Sequence, residues 1–135
     1  MNSPQPWPPV NAETAPYWEG LREHRLLLQH CVDCGRTRHY PRPMCDACYS
    51  LRSNWKEASG RGTIHSWTVV HHPFLAQFKA EIPYIMVTID LVEGVRMQAP
   101  LRGVPADGVR RGASVRLLFE DKPDGQTLPA FGLED

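Results

Sequence analysis

The four cysteines of the chain form two Cys-x-x-Cys pairs, and their type and spacing point most directly to chemistry. They are Cys31, Cys34, Cys45 and Cys48, with ten residues between the pairs. Zinc prefers four thiolates in a tetrahedral shell, and a short pair lets one tight turn present two sulfurs to the same ion. The spacing therefore predicts a structural zinc site, with a positive φ at Gly35, just after the first pair.

Other roles for the cysteines fit the sequence less well. Disulfides belong to oxidising compartments, and the N-terminus lacks the charged and apolar regions of a signal peptide, which favours a cytoplasmic protein. A redox-active dithiol uses one such pair rather than two. Iron stays open as the occupant of the same four-cysteine site. A closed shell of four thiolates leaves no open metal position for water and no thiol to act as a nucleophile.

The elements that position these cysteines are predicted to be mainly β. A Pro-rich arm and a short helix occupy residues 1–25, and the helix, over 14–25, is capped by Thr14 and carries Pro16 in its first turn. A rubredoxin-like, four-cysteine zinc ribbon follows at 26–58, with strands at 26–30, 37–40 and 54–58. So small a ribbon buries too little to fold without its metal.

Residues 59–135 show the alternation of apolar and polar side chains that is typical of strands. Five strands are predicted, at 63–71, 84–91, 95–102, 114–120 and 127–131, with turn residues between them. Five short strands favour a small OB-type barrel. The longest apolar runs, such as 82–89, are too short to span a membrane as a helix.

The long loop between the first two barrel strands carries the first set of candidate contact residues. They are His71, His72, Phe74, Phe78 and Tyr84. In OB folds this connection often shapes the ligand surface. The aromatics therefore either bind an apolar chain or a partner, or they cap the mouth of the barrel. A catalytic role for the two histidines is the weaker interpretation, because histidines without a partner are commonly surface residues.

The second set consists of arginines in and around the ribbon, namely Arg36, Arg38, Arg42 and Arg52. Arginine pairs bidentately with phosphate, so the cluster could hold phosphate groups. It could equally offset the charge of minus two that four thiolates give a zinc ion. Residues 22–61 hold eight basic and four acidic side chains, whereas residues 62–135 hold seven and nine. The barrel therefore lacks the basic footprint of a nucleic-acid-binding protein.

Several short motifs occur in an order that resembles a known family. These are the helix segment Tyr17–Leu21, the Tyr-Pro-Arg-Pro stretch Tyr40–Pro43 between the cysteine pairs, the strand Gly60–Val70, Pro83-Tyr84 before a strand that ends in Asp90-Leu91, and Leu128–Phe131. Together they resemble the zinc-ribbon and OB-fold proteins associated with acyl-CoA metabolism, long catalogued as a domain of unknown function. The resemblance covers roughly residues 14–133.

This resemblance implies a non-catalytic subunit of a hetero-oligomer. Members of the family accompany thiolase-fold enzymes, in thiolase and acyltransferase complexes and in steroid side-chain aldolases, where the partner supplies the nucleophile. The expected function is therefore to support such a partner's active site and to help bind an acyl-CoA. Two alternatives stay open: a zinc-ribbon and OB module that binds single-stranded nucleic acid, and a stand-alone enzyme that uses the 71–84 loop.

Overall fold

A short helix, a three-stranded metal-binding sheet and a five-stranded barrel follow one another along the chain. The computed structural model describes residues 8–123 and 125–134, so most of the predicted Pro-rich arm lies outside the described residues. Helix α1 spans Ala15–Arg22 and has a proline in its first turn, as predicted. The mainly β fold class is confirmed.

The start of α1 differs from the expectation in one respect. Thr14 occupies the capping position, but its side chain makes no capping hydrogen bond to the helix. The side chain of Asn11 acts before the helix instead, because its Oδ1 accepts hydrogen bonds from the backbone N–H groups of Glu13 and Thr14, both at 3.0 Å. The predicted cap by Thr14 is wrong, since Asn11 forms a local turn that brings the chain into the helix.

The ribbon is an antiparallel sheet with its first strand in the centre. Strand β1 (Leu27–Cys31) pairs with β2 (Thr37–Arg38) on one side and with β3 (Ser53–Glu57) on the other. Strand β2 ends two residues earlier than predicted. Beyond it, the His39 ring packs against Tyr17 of α1, with 5.4 Å between ring centroids, so the chain leaves the sheet to contact the helix.

The barrel is closed by pairing between its first and fourth strands. Its strands are β4 (Arg61–Val70), β5 (Tyr84–Leu91), β6 (Arg96–Leu101), β7 (Ser114–Asp121) and β8 (Thr127–Leu133), in the order β4-β5-β6-β8-β7. Alternate side chains of β5 and β6 are buried, as the sequence pattern predicts. Strand β8 lies parallel to β6 and antiparallel to β7.

Strand β4 pairs with two neighbouring strands at the same residue. Gly62 pairs with Leu91 of β5 and with Val115 of β7. A Cβ atom on Gly62 would lie 2.5 Å from the carbonyl oxygen of Asp90 and 2.6 Å from Cγ2 of Ile89. Only glycine lets the strands approach this closely, so Gly62 is required for closure of the barrel.

One apolar core joins the helix, the ribbon and the barrel. It contains Tyr17 and Leu21 of α1, Leu26 and Leu28 of the ribbon, and barrel side chains such as Phe131, all nearly inaccessible to solvent. The divisions predicted at residues 25 and 58 stay predictions. Within the described residues, no helix has the length and apolar character needed to cross a membrane.

Candidate functional site

The two cysteine pairs adopt closely similar backbone turns. In the first, the Cys31 carbonyl accepts a hydrogen bond from the N–H of Gly35 at 3.0 Å, and in the second the Cys45 carbonyl accepts one from Tyr49 at the same distance. Both acceptor positions are followed, four residues on, by a left-handed residue, with φ of 80° at Gly35 and 63° at Tyr49. The predicted positive φ at Gly35 is confirmed, and the turns aim four sulfurs at one point.

The sulfur geometry fits a tetrahedral metal and excludes disulfides. All four Sγ atoms lie within 4.8 Å of one another. The shortest separations, Cys31 to Cys48 and Cys34 to Cys45, are both 3.6 Å. A Zn–S bond of about 2.3 Å implies tetrahedral S–S edges of roughly 3.8 Å, whereas a disulfide needs about 2.05 Å. The donor set therefore matches a closed zinc site.

Backbone amides prepare two of the thiols to bind a cation. A hydrogen bond from the backbone of Cys34 is the main factor that lowers the pKa of Cys31, to about 6. The backbone of Cys48 lowers the pKa of Cys45 in the same way. At Cys34 and Cys48 the backbone hydrogen bonds are outweighed by desolvation and by the neighbouring thiols, which raise the pKa. The ionised sulfur is the form that binds metal, so each turn favours the thiolate at its first cysteine before any ion arrives.

A second feature is a half-open, largely apolar cavity of about 470 Å³ with five aromatic residues in its wall, here called the aromatic groove. It lies where α1, the segment that follows β2, and strands β5, β6 and β8 meet. Aromatic and apolar side chains supply most of its wall: Tyr17, Trp18, Tyr40, Phe78, Tyr84, Met86, Pro100, Leu128 and Pro129. Such a wall suits an apolar ligand or the apolar side chains of a protein partner.

The groove also has polar groups at defined positions. Arg102 donates to both carboxylate oxygens of Glu120, at 2.8 and 3.1 Å, and Lys122 lies 3.6 Å from the same carboxylate. Burial is the largest single influence on Glu120 and opposes its ionisation, but the hydrogen bonds and charges of Arg102 and Lys122 together outweigh it and hold the pKa of that carboxyl below its usual value. The indole Nε1 of Trp18, another residue of the wall, is buried and has no hydrogen-bond partner among the described residues.

The structure separates the five loop candidates into two groups. Phe78 and Tyr84 line the aromatic groove. Phe74 lies at the outer part of the loop, 85% exposed, where its ring meets the edge of His72 at a centroid distance of 4.6 Å. His71 is exposed as well. The exposed ring of Phe74 therefore does not cap the mouth of the barrel, whereas Phe78 covers one side of the groove.

The arginine candidates also separate by their partners. Arg52 forms an ion pair with Asp33, and Arg36 lies 3.3 Å from Asp46. Arg38 is only 3% exposed and bonds to Gln29 and to the backbone carbonyl of Arg42, while the Arg42 side chain is exposed. Arg36, Arg38 and Arg42 line a polar cleft between the ribbon and the turn that joins β5 and β6.

Several groove residues were not identified from the sequence as site residues. Trp18 and Tyr40 were noted only as part of motifs, and Met86, Arg102 and Glu120 only as parts of strands. They are far apart in the chain, and no local spacing connects them. A tryptophan on a short predicted helix, with Tyr-Pro-Arg-Pro further along the chain, is the sequence signal that could have indicated the groove.

Comparisons with known families match both halves of the chain. Residues 18–52 match a family model described as the ChsH2 rubredoxin-like zinc ribbon domain. Residues 55–120 match the ChsH2 C-terminal OB-fold domain. The chain belongs to the ChsH2 zinc-ribbon and OB-fold family. The family's ribbon and the four converging sulfurs confirm the predicted structural zinc ion.

The curated relatives of this chain include longer proteins. A probable enoyl-CoA hydratase alpha subunit from Thermomonospora curvata is 35% identical over 94% of this chain. The 3-oxo-4,17-pregnadiene-20-carboxyl-CoA hydratase alpha subunit of Mycobacterium tuberculosis is 36% identical over 87% of it. The chain spans about two fifths of each of these relatives, 39% and 37% of their lengths. A DUF35 domain-containing scaffold protein from Methanothermobacter thermautotrophicus is 28% identical and is covered over 89% of its length.

Solved structures support the same ChsH2 assignment. A chain of the structure described as the Ltp2-ChsH2(DUF35) aldolase superimposes with a TM-score of 0.86 at 34% identity, covering 94% of this chain and 98% of that one. A DUF35-family protein of unknown function from Sulfolobus solfataricus has a TM-score of 0.66 at 18% identity, with 93% and 87% coverage. The second likeness concerns the fold alone.

Proposed function

We propose that this chain is a non-catalytic accessory subunit of a thiolase-like acyl-CoA enzyme, such as a thiolase, an acyltransferase or a side-chain retro-aldolase. The observation that carries the proposal is the likeness to the chain from the Ltp2-ChsH2(DUF35) aldolase, which extends over almost the full length of both chains. Two relatives are described as alpha subunits and another as a scaffold protein, which agrees with a function inside an assembly.

The metal centre supports the accessory role on chemical grounds. The zinc ion, when bound, holds the ribbon together and has a full shell of four sulfurs, so it offers no position for a water or a substrate carbonyl. The same four residues are all the cysteines of the chain, so no thiol remains to attack a thioester. We therefore assign the nucleophile of the reaction to the partner. A reduced four-thiolate site also fits a cytoplasmic location.

The aromatic groove is the proposed surface for the partner or for the acyl part of the ligand. Phe78 and Tyr84 lie in its wall, and His71, His72 and Phe74 extend the same loop outward. A mostly apolar wall fits an apolar segment of a partner or the acyl chain of a ligand. The longer relatives are described as hydratase subunits. From those descriptions we infer for this chain an association with acyl-CoA chemistry and not the hydratase activity itself.

The test is purification of the tagged chain from its own host under mild conditions. We expect a thiolase-fold chain to copurify in near-stoichiometric amount. Phe78→Ala should reduce its recovery, because that ring borders the groove, whereas Phe74→Ala removes an exposed ring of the same loop and should have a smaller effect. If the wild-type chain is recovered from its own host without a thiolase-fold chain, the proposal is contradicted.

A further inference from the structure

The polar cleft between ribbon and barrel, here called the arginine cleft, is built differently from the aromatic groove. Its volume is about 720 Å³. The ribbon contributes residues 35–39 and Arg42, and the barrel contributes Asp90 and residues 93–96. Four arginines border it, namely Arg36, Arg38, Arg42 and Arg96. Basic side chains of two elements thus converge on one open space.

Arg38 is the unusual member of this set. Its guanidinium is permanently charged, yet the residue is only 3% exposed. Its Nε donates to Oε1 of Gln29 at 2.7 Å and its Nη2 to the carbonyl of Arg42 at 2.9 Å, both neutral acceptors. Its Nη1 is buried without a partner among the described residues. No described carboxylate forms an ion pair with Arg38, and a buried charge without a counterion is destabilising, so a bound anion would stabilise this geometry.

A buried amide fixes the position of Arg38 and of the backbone next to it. Oε1 of Gln29, a residue 5% exposed, accepts from Arg38 and also from the backbone N–H of Arg42 at 2.7 Å. The Gln29 amide nitrogen in turn donates to Oγ of Ser53 at 3.2 Å. The two arginines are therefore held by one connected network, which is the arrangement expected of a preorganised binding site.

The other charged groups of the cleft are largely paired. Arg36 lies 3.3 Å from Asp46, and Arg96 donates to Asp90 at 2.7 Å. One oxygen of Glu93 accepts from the backbone N–H of Ser59 at 2.9 Å, while its other oxygen is buried without a partner in the described part of the chain. The exposed Arg42 forms no ion pair with a described carboxylate. Arg38 and Arg42 are thus the cations left to bind an anionic ligand, and the negative charge of Glu93 would repel that ligand.

We propose that the arginine cleft binds the phosphate group of a phosphorylated small molecule, with Arg38 Nη1 and the Arg42 guanidinium as the donors. Phosphate offers several acceptor oxygens that match the fork of guanidinium N–H groups. None of the hydrogen bonds of Arg38 goes to a cysteine sulfur, so contact with the zinc thiolates does not account for its charge. The cleft requires no partner chain, so this inference does not rest on the proposed function.

The test is calorimetric titration of the zinc-loaded chain with inorganic pyrophosphate. Loss of one charge-assisted donor should weaken binding about tenfold in Arg42→Gln, a variant whose backbone network is unchanged. Glu93→Gln should tighten binding, because it removes the opposing charge and keeps an acceptor for Ser59. Arg111→Gln, which alters an exposed arginine outside the cleft, is the matched control and should bind as the wild type does.

Parallel titrations identify the source of the phosphate and can overturn the proposal. Tighter binding of coenzyme A than of ATP or pyrophosphate would assign the site to the ligand of the acyl-CoA reaction, and the reverse order would assign it to a nucleotide. Absence of pyrophosphate binding overturns the inference, as does binding that Arg42→Gln leaves unchanged. Equal binding of citrate, which carries carboxylates only, overturns the assignment to phosphate. None of these titrations involves the thiolase-fold chain, so they test the arginine cleft independently of the copurification that tests the proposed function.

Discussion

His39 stands between the two cavities. Its ring lies 5.4 Å from that of Tyr17 and 3.9 Å from that of Tyr40, both of which line the aromatic groove, while His39 itself borders the arginine cleft. Its Nε2 is buried without a partner in the described part of the chain. Burial lowers the pKa of His39 to about 4, so the ring is neutral at physiological pH and suits a wall beside the basic cleft.

This lowered pKa makes stability depend on pH in a defined window. The unfolded chain binds a proton at His39 near pH 6.5, whereas the folded chain binds it only near pH 4. The folded state is therefore favoured above pH 6.5, and this contribution is lost as the pH falls from 6.5 to 4. We expect the free energy of unfolding to fall by about 1–2 kcal/mol more in the wild type than in His39→Gln between pH 7 and pH 5.

Urea unfolding at the two pH values measures this difference, and comparison of variants cancels the pH dependence of the zinc site. His71→Gln serves as the control, because His71 is exposed and should show the wild-type pH dependence. An identical pH dependence in wild type and His39→Gln would show that His39 takes up its proton equally in both states.

Among the elements, the strands were the most predictable. The β5 strand alternates Ile85, Val87, Ile89 and Leu91 toward the core, and its bounds agree with the prediction at both ends. The bounds of the other elements, in the ribbon and in the barrel, differ from the prediction by up to three residues, because element ends depend on contacts such as that of His39 with α1. The cysteine site was predictable since its spacing is local. The groove and the cleft were not, since each combines side chains from several distant segments.

The close contact at Gly62 gives a prediction for the barrel as an element. A methyl group there would overlap the Asp90 carbonyl, so Gly62→Ala must push β4 away from β5. We expect the free energy of unfolding to fall by about 1–3 kcal/mol, the usual range for overpacking. Thr63→Ala, at the adjacent exposed position, should change it by less than about 1 kcal/mol. Urea denaturation monitored by circular dichroism would measure both, and a fully stable Gly62→Ala would contradict the role given to Gly62 in closure.

At the scale of the whole molecule, the ribbon and the barrel share one core. Leu26 and Leu28 of the ribbon are buried in the same cluster as Leu21 of the helix and barrel residues such as Ile89 and Phe131. The helix contacts both β1 and β8. Loss of the metal should therefore be felt well beyond the four sulfurs, because the ribbon strands would no longer be held against the barrel.

Removal of one zinc ligand tests this coupling. Cys34→Ser leaves three thiolates, and we expect the variant to lose zinc and to unfold or precipitate at 25 °C, since zinc contributes on the order of 10 kcal/mol to the folding of such sites. Val32→Ala alters an exposed side chain of the same turn and should retain both metal and fold. Metal analysis and near-ultraviolet circular dichroism give the readouts. A metal-free Cys34→Ser protein with the wild-type spectrum would contradict a structural role for zinc.

The shared core also links the amount of this protein to the supply of zinc in a cell. A newly made copy without its ion would expose the ribbon, the helix and part of the barrel together. Such a large unfolded segment is a substrate for cellular proteases. Under zinc starvation such copies would be degraded as whole molecules. Zinc would then set how much of this protein a cell holds and, on the proposed function, how many copies are available to the partner.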